Sequence, residues 1–314
     1  MLLRLRLNSK KTRATGVMSN VGIGVVMESE NPLIVDLERS EKERFRHQAI
    51  TSHIEGIEGI YANSNITINS AHSLFGILSD AKALAAEWER GNFETDMMNL
   101  FSALHVQRIY TGIASLVGET NRAKYLKDLL NGSLNFFDRE LSHAKGIFWE
   151  MEAFTKIKKV IPATCLEEPD IVVTIGERSI AVPCKKIFSD KGVPKVLSNA
   201  VAQIKRGHEF GIVALNIDDQ ISGGVVLNAS TFKEAAEKLH SRNLEFFARH
   251  ERHLLKYLTA SRIVAVIAST SVVADIHDET PKFNNFSQWT IWTIPDLKQE
   301  HKNAIDEFRQ KVIG

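Results

Sequence analysis

The sequence predicts an α/β protein whose N-terminal region is mainly helical, and three observations support this prediction. The chain has 314 residues, 44% of them hydrophobic, which is enough to form sizeable cores. Apolar residues recur with helical spacing as far as about residue 160. Beyond that point, short runs rich in Ile and Val alternate with longer helical segments, as in a sheet covered by helices. We therefore divide the chain into a short β-like start (residues 1–36), a mainly helical region (37–144) and an α/β domain (145–314).

The elements of the first half follow from periodicity and from capping residues. The β-like start contains the apolar runs "NVGIGVVM" and "NPLIVDL". The clearest helix is predicted from an N-cap at Asn69 or Ser70 to Gly91. Its apolar face consists of Leu74, Ile77, Leu78, Ala81 and Leu84. Two further helices should end at Gly118 and Gly132, and a long one should run from Ser133 to Val160.

In the second half, strands and helices alternate. Strands are predicted near residues 160–165, in "DIVVTIG" and in "SIAVPCKKI", with a tight turn at Gly176 between the last two. A helix in "PKVLSNAVAQIKRG", a strand in "GIVALNID" and a long helix from Ser230 follow. The strands "RIVAVIAS" and "QWTIWTI" and a helix after Pro295 complete the chain, so the sheet is expected to be buried on both faces.

Composition limits the cellular location and the partners. The formal net charge is +1, so no global electrostatic field indicates a nucleic-acid or membrane partner. The two cysteines, Cys165 and Cys184, are too few for a disulfide framework or a cysteine-built zinc site, and they suit a reducing cytoplasm. No apolar run reaches the roughly 18 residues that a membrane span requires. We expect a cytoplasmic protein without a membrane partner.

A carboxylate and a lysine stand at the ends of two neighbouring predicted strands. Asp170 begins the strand "DIVVTIG", and Lys185 lies near the end of "SIAVPCKKI". An ammonium group at the end of an apolar strand is costly to desolvate unless it is paired or functional. These residues therefore form a candidate functional site; the alternative is a turn aspartate beside lysines that extend into solvent.

The order of elements from about residue 145 to 218 is α-β-β-β-α-β. Together with Glu150 in "FWEMEAF", Pro169 and Asp170 in "EEPDIVV", Lys185 in "VPCKKI" and Gln203 in "NAVAQIKRG", it resembles the PD-(D/E)XK nuclease superfamily. The resemblance implies a restriction-endonuclease-like core with a C-terminal extension. It also implies hydrolysis of phosphodiester bonds with Mg²⁺ or Mn²⁺ as cofactor. DNA is the expected substrate, with RNA as the alternative, in restriction, repair or defence against phage.

The resemblance also implies roles for individual residues. Asp170 would hold the metal, Lys185 would orient water or stabilise developing charge, and Gln203 would assist from the following helix. Glu150 or Glu152 would add a carboxylate from the preceding helix.

At the (D/E) position, two residues before Lys185, this chain has Pro183, whose side chain cannot bind a metal. A thiol is a poor ligand for Mg²⁺, so Cys184 would have to coordinate through its backbone carbonyl. Glu150, Glu152 or Glu168 would then provide the missing charge.

Local charge favours a phosphate-bearing partner. Residues 156–206 include ten basic and five acidic side chains, within a chain that is nearly neutral overall. We expect Lys156, Lys186, Lys195 and Arg206 to contact nucleic acid through its backbone. The alternative is a solvated face rich in lysine.

Three further hypotheses concern other parts of the chain or other functions. A nuclease fold without a complete metal site would bind nucleic acid without cutting it. A scaffold would use the helical region to bind a protein partner or to form a homo-oligomer. His250 and His253 have the i, i+3 spacing of a metal pair, but without a third ligand they are more typical of a polar helix face.

Overall fold

A computed structural model describes residues 34–43, 49–92, 97–138, 140–221, 226–280 and 282–312. Within these ranges the chain forms eight α-helices and one mixed sheet of nine strands. The β-like start predicted for residues 1–36 lies outside them except for its last three residues, where the first strand begins. None of the described helices combines the length and apolar character needed to cross a membrane.

The elements have the following bounds. The helices are α1 (Ile50–Asn63), α2 (Ser73–Glu89), α3 (Met97–Ser115), α4 (Arg122–Leu129), α5 (His143–Val160), α6 (Val193–Ile204), α7 (Phe232–Ala260) and α8 (Gln299–Val312). The strands are β1 (Ile34–Glu43), β2 (Thr164–Cys165), β3 (Ile171–Ile175), β4 (Arg178–Val182), β5 (Cys184–Lys186), β6 (Gly211–Asn216), β7 (Leu227–Ala229), β8 (Ile263–Ile276) and β9 (Phe283–Thr293). Short 3₁₀ turns lie at Asp190–Gly192 and Asp218–Gln220.

The apolar face predicted for the first clear helix is confirmed in α2. All five residues of that face are buried, and Gly91 adopts a positive φ of 79° just beyond the end of the helix. The predicted start was wrong, because the N-cap is His72 and not Asn69 or Ser70. The Asn69 side chain instead accepts a hydrogen bond from the Ala71 amide, which forms a turn before the helix begins.

The long helix predicted from Ser133 was wrong over its first ten residues, since α5 begins only at His143. Side-chain oxygens of Ser133, Asn135 and Asp138 each accept a hydrogen bond from the backbone amide two residues further on. Such local bonds compete directly with helical hydrogen bonding. The apolar spacing in this segment therefore does not lead to a helix.

The sheet has the order β1-β9-β8-β6-β4-β3-β2, with β5 also paired to β6 and β7 to β8. Strands β2, β3 and β4 form an antiparallel meander. Strands β4, β5 and β8 all run parallel to β6, and β9 is antiparallel to both β8 and β1. All six residues of β6 are buried, as the apolar run predicted for a central strand.

Pro183 divides the strand that the sequence predicted as continuous. Proline has no amide hydrogen to donate to a sheet, so β4 ends before it and β5 begins after it. The Pro183 carbonyl still accepts a hydrogen bond from the Ala214 amide at 2.9 Å. On the neighbouring strand, a Cβ atom at Gly211 would lie 2.6 Å from the Ala181 carbonyl oxygen, so only glycine allows β4 and β6 to approach this closely.

Helices cover the sheet on both faces. Helices α1–α5 and α8 share an apolar core with one face, to which β6 contributes Ile212 and Ala214. Helices α6 and α7 pack on the other face, to which β6 contributes Val213 and Leu215. The helical region and the sheet thus share one continuous core. The segment from α5 through β2, β3, β4 with β5, and α6 to β6 has the order α-β-β-β-α-β.

Candidate active site

Asp170 lies directly before β3, beside the end of the sheet at which the parallel strands β5 and β6 terminate. Its Oδ2 accepts hydrogen bonds from the Cys184 amide at 2.7 Å and from Lys185 Nζ at 2.6 Å. The residue has a φ of +141°, a backbone conformation that costs a non-glycine residue roughly 1–3 kcal/mol. The two charge-assisted hydrogen bonds offset this cost and hold the carboxylate in place.

The lysine and the aspartate form a mostly buried ion pair. Their side chains are 20% and 13% exposed, so each charge is largely desolvated but remains within reach of solvent. A lysine that simply extended from a strand end into water would be far more exposed. Lys185 is therefore held at the site by Asp170.

Glu150 brings a second carboxylate from α5 to the same place. Its Oε2 accepts a hydrogen bond from the Tyr125 hydroxyl at 3.1 Å. Burial, followed by the charge of Asp170, raises the pKa of Glu150 to about 8, although Lys185 opposes the shift. Burial also raises the pKa of Asp170, again against the effect of Lys185. Two poorly solvated carboxylates therefore repel each other, and the Lys185 ammonium partly compensates for their negative charge.

Gln203 completes the group from α6. Its Nε2 donates to the Pro169 carbonyl at 3.3 Å and to Asp170 Oδ1 at 3.4 Å, which are long hydrogen bonds. Its Oε1 is buried and has no hydrogen-bond partner among the described residues. A buried amide oxygen of this kind is expected to accept a hydrogen bond from a water or a ligand.

The two other carboxylates considered from the sequence form ion pairs with arginines, although the Glu168 charge still acts on Asp170. Glu152 accepts hydrogen bonds from Arg108 Nε at 2.8 Å and Nη2 at 2.9 Å, and is not brought to Asp170. Two residues on a helix are separated by about 200°, so Glu150 and Glu152 necessarily point in nearly opposite directions. Glu168 forms a surface ion pair with Arg206 at 3.0 Å.

Cys184 contributes its backbone amide to the site. Its thiol is buried and lies 3.6 Å from the Val182 carbonyl oxygen. Burial raises the pKa of this thiol further above its ordinary value, and the nearby carboxylates add to the effect. The sulfur is therefore a neutral group of the core.

The residues expected to contact phosphate do not form one surface. Lys156 donates to the Ser287 hydroxyl at 2.5 Å and lies over the Trp289 ring. Lys186 donates to Asn216 Oδ1 at 2.7 Å, and its ammonium lies 2.9 Å from Asp219. The side chains of Lys186 and Asp219 are only 6% and 5% exposed, so this lysine is part of a buried pair.

Lys195 is exposed on α6, and Arg206 is exposed just after it, although Arg206 forms an ion pair with Glu168. Counting charges along the sequence therefore overstated the basic surface, because buried ion pairs remove some of the lysines from it.

Sequence reasoning missed two residues of α4 that adjoin the site. Tyr125 holds Glu150, and the exposed Lys124 lies near enough for its charge to lower the pKa of Glu150. These residues precede Glu150 by about 25 positions and belong to no motif, so no sequence signal marked them. The helical region thus borders the candidate site directly.

Other clusters are separate from this site. In the described part of the chain, Glu209, Glu300 and His301 are the three residues whose metal-binding atoms lie within 4.8 Å of one another, and both glutamates are exposed. His250 is buried, and its Nε2 lies 3.0 Å from Asp190 Oδ1, so it does not lie on an exposed polar face of the helix as the alternative from the sequence supposed. Neither cluster adjoins Asp170.

Comparisons of the chain with protein-family models, with curated proteins and with solved structures give no match. We therefore infer the function from the geometry around Asp170.

Proposed function

We propose that this protein is a metal-dependent nuclease that hydrolyses phosphodiester bonds, with DNA as its substrate. The observation that carries the proposal is the convergence of Glu150, Asp170, Lys185 and Gln203, which come from α5, the residue before β3, β5 and α6. These are four of the five residues on which the resemblance to PD-(D/E)XK nucleases depends, the fifth being Pro169. The α-β-β-β-α-β order of the segment that carries them adds support.

The donor set suits a hard divalent cation. Among the described residues, Asp170 Oδ1 receives only the long contact from Gln203 and keeps lone pairs for coordination. The Glu150 carboxylate lies close enough to interact with Asp170. Mg²⁺ prefers such oxygen ligands and commonly uses one or two carboxylates together with waters. Bound there, the cation would supply charge neutralisation of the phosphate and activation of a water molecule.

Glu150 offers an explanation for the missing carboxylate at Pro183. A carboxylate two residues before Lys185 would reach the site from the strand, whereas Glu150 reaches it from the helix that packs on that strand. The site then still has a second carboxylate beside Asp170, but it comes from the helix and not from the strand.

The chain's own residues have distinct tasks in this proposal. Lys185 neutralises Asp170 and presents an ammonium to the charge that develops on the phosphate. Gln203 offers its free Oε1 to the attacking water. Tyr125 holds the Glu150 carboxyl group in position.

Cleavage assays test the proposal directly. Single-stranded and duplex DNA and RNA are incubated with Mg²⁺, Mn²⁺ or EDTA. We expect metal-dependent cleavage that EDTA abolishes and that Lys185→Met lowers by a factor of about 100 or more. The control Lys191→Met alters an exposed lysine and should cut at the wild-type rate. Equal cleavage rates for the two variants would mean that Lys185 takes no part in the reaction.

A second candidate function is nucleic-acid binding without cleavage. It is favoured by Pro183 and by the closed ion pair between Asp170 and Lys185, which leaves the ammonium already satisfied. Binding without cleavage in the wild type, together with cleavage by Pro183→Glu, would establish this function. Absence of nucleic-acid affinity would instead indicate a protein-interaction scaffold.

Calorimetric titration with Mg²⁺ and Mn²⁺ tests the metal site independently of activity. Asp170→Asn should weaken binding, and Pro183→Glu should strengthen it, because position 183 adjoins the Cys184 amide that contacts Asp170. Indistinguishable curves for wild type and both variants would mean that these positions do not share a metal site.

A further inference from the structure

A second site is suggested by a cavity of about 510 Å³ between α7 and the segment that follows β6. It lies just beyond the last residue of β6, where the parallel pairing of β6 with β8 stops at Ser269 and β8 continues past Thr270. Ligands of α/β sheets commonly bind at the carboxyl ends of parallel strands. The volume is in the range of small-molecule pockets, roughly 300–1,000 Å³, and far exceeds what a single inorganic ion occupies.

Positive charge dominates the helix wall of this cavity. Lys238, Arg242 and Arg249 line it from α7 at i, i+4 and i+11, a spacing that places them on one side of the helix. The acidic residue of the lining is Glu245. The lining itself therefore has three cations and one carboxylate, although Lys238 and Arg249 also pair with carboxylates outside it.

The three cations differ in how far they are already paired. Lys238 contacts Glu234 at 2.6 Å and the Asn228 carbonyl at 2.7 Å, and Arg249 contacts Asp190 at 3.4 Å. Arg242 has no ion-pair partner among the residues for which side chains are described. Its planar guanidinium keeps its donors available for a bidentate contact, the geometry that matches phosphate.

The remaining lining offers contacts for an uncharged, ring-containing part of a ligand. Ile221 is half-buried and provides apolar surface, whereas Ile217 and Phe246 are almost fully buried behind it. Gln220 and Ser241 add an amide and a hydroxyl group that can fix the orientation of polar ring substituents. An anion-binding wall beside an apolar surface fits a ligand with a phosphate at one end and a flat heterocycle at the other.

We propose that this cavity binds a nucleoside phosphate, with the phosphate on Arg242 and Arg249 and the base against Ile221. The proposal does not depend on the nuclease function, since none of these residues belongs to the group around Asp170.

Titration calorimetry in EDTA with the four nucleoside monophosphates tests it, with inorganic phosphate and a nucleoside as separate arms. We expect saturable binding of at least one monophosphate, tighter than that of inorganic phosphate or of the nucleoside alone. Arg242→Gln should weaken this binding by roughly 10-fold or more, the loss typical of a charge-assisted contact. The control Arg252→Gln changes an exposed arginine of the same helix that does not line the cavity, and it should bind like the wild type.

Asp170→Asn should also leave monophosphate binding unchanged, so failure of the nuclease proposal and failure of this one give different results. Thermal melting verifies that each variant is folded before titration. Absence of saturable binding by folded wild type at millimolar monophosphate would overturn the proposal. So would equal binding by Arg242→Gln and Arg252→Gln, or inorganic phosphate that binds as tightly as the monophosphates.

Discussion

Glu150→Gln should remove a pH-dependent loss of stability that the wild-type protein carries at its candidate site. Burial and the Asp170 charge raise the pKa of Glu150 from 4.5 to about 8. A carboxyl group whose pKa is higher in the folded than in the unfolded state binds its proton more tightly when folded. Its contribution to stability is therefore fully present below about pH 4.5 and is lost as the pH rises through about 8. Glutamine is nearly isosteric with the protonated acid and does not ionise.

The size of the effect follows from the pKa difference. Each unit corresponds to about 1.36 kcal/mol, and the shift of Glu150 spans several units. Between about pH 5.5 and about pH 8.5, ionisation of this group should lower the free energy of unfolding by about 2–3 kcal/mol. The Glu150→Gln variant should lack this slope and should be the more stable protein at alkaline pH.

Urea denaturation in EDTA at several pH values measures this difference. The control Glu177→Gln replaces an exposed glutamate in the turn between β3 and β4, and it should keep the wild-type pH dependence. Mg²⁺ at about 100 times its dissociation constant should restore about 2.7 kcal/mol to the wild type. If wild type and Glu150→Gln had parallel pH profiles, Glu150 would not lie buried beside Asp170, and the interpretation of the site would be wrong.

Three further predictions concern residues around this site and in the core. Glu152→Gln leaves the buried Arg108 without its carboxylate, so it should lower the free energy of unfolding, measured in urea, by about 3–5 kcal/mol. Mg²⁺ titration of this variant should match the wild type, and a defect in metal binding would instead place Glu152 in the site. Lys186→Met leaves Asp219 buried and unpaired, so it should lower the free energy of unfolding by a similar amount. The salt dependence of nucleic-acid binding should stay at the wild-type value, and a weaker salt dependence would mean that Lys186 contacts nucleic acid. Burial lowers the pKa of His240 to about 4, so folding favours its neutral form and stability should fall as the pH drops below about 6.5. His240→Gln should reduce this loss of stability at acid pH, measured as the melting temperature. If the variant lost as much melting temperature as the wild type, His240 would not be the group responsible.

Helix α4 links the helical region to the chemistry proposed for the α/β part. Tyr125 reaches the Glu150 carboxyl group, and Lys124 contributes positive charge at the same place. The apolar core is continuous between the two regions. Changes in the helical region are therefore expected to affect Glu150 through α4, which distinguishes this arrangement from a catalytic domain with an independent accessory part.

The sequence alone determined those features that depend on local periodicity and backbone chemistry. The buried face of α2, the hairpin with Gly176 at a φ of +59° and the uniformly buried β6 all agree with the sequence patterns. These features arise from interactions between residues close together in the chain, where side-chain spacing decides which groups share a face. Where local hydrogen bonding by Ser133 and Asn135 competed with apolar spacing, the same patterns predicted a helix that does not form.

Only the tertiary structure decided which polar groups meet. Glu150 and Glu152, like Lys185 and Lys186, are near neighbours in sequence, yet one of each pair lies beside Asp170 and the other forms an ion pair elsewhere. Spacing along the chain requires that such neighbours point in different directions, but it does not say which direction faces the site. That choice depends on how α5 and β5 pack against the rest of the sheet, because burying a charge is tolerated only where packing also provides its partner.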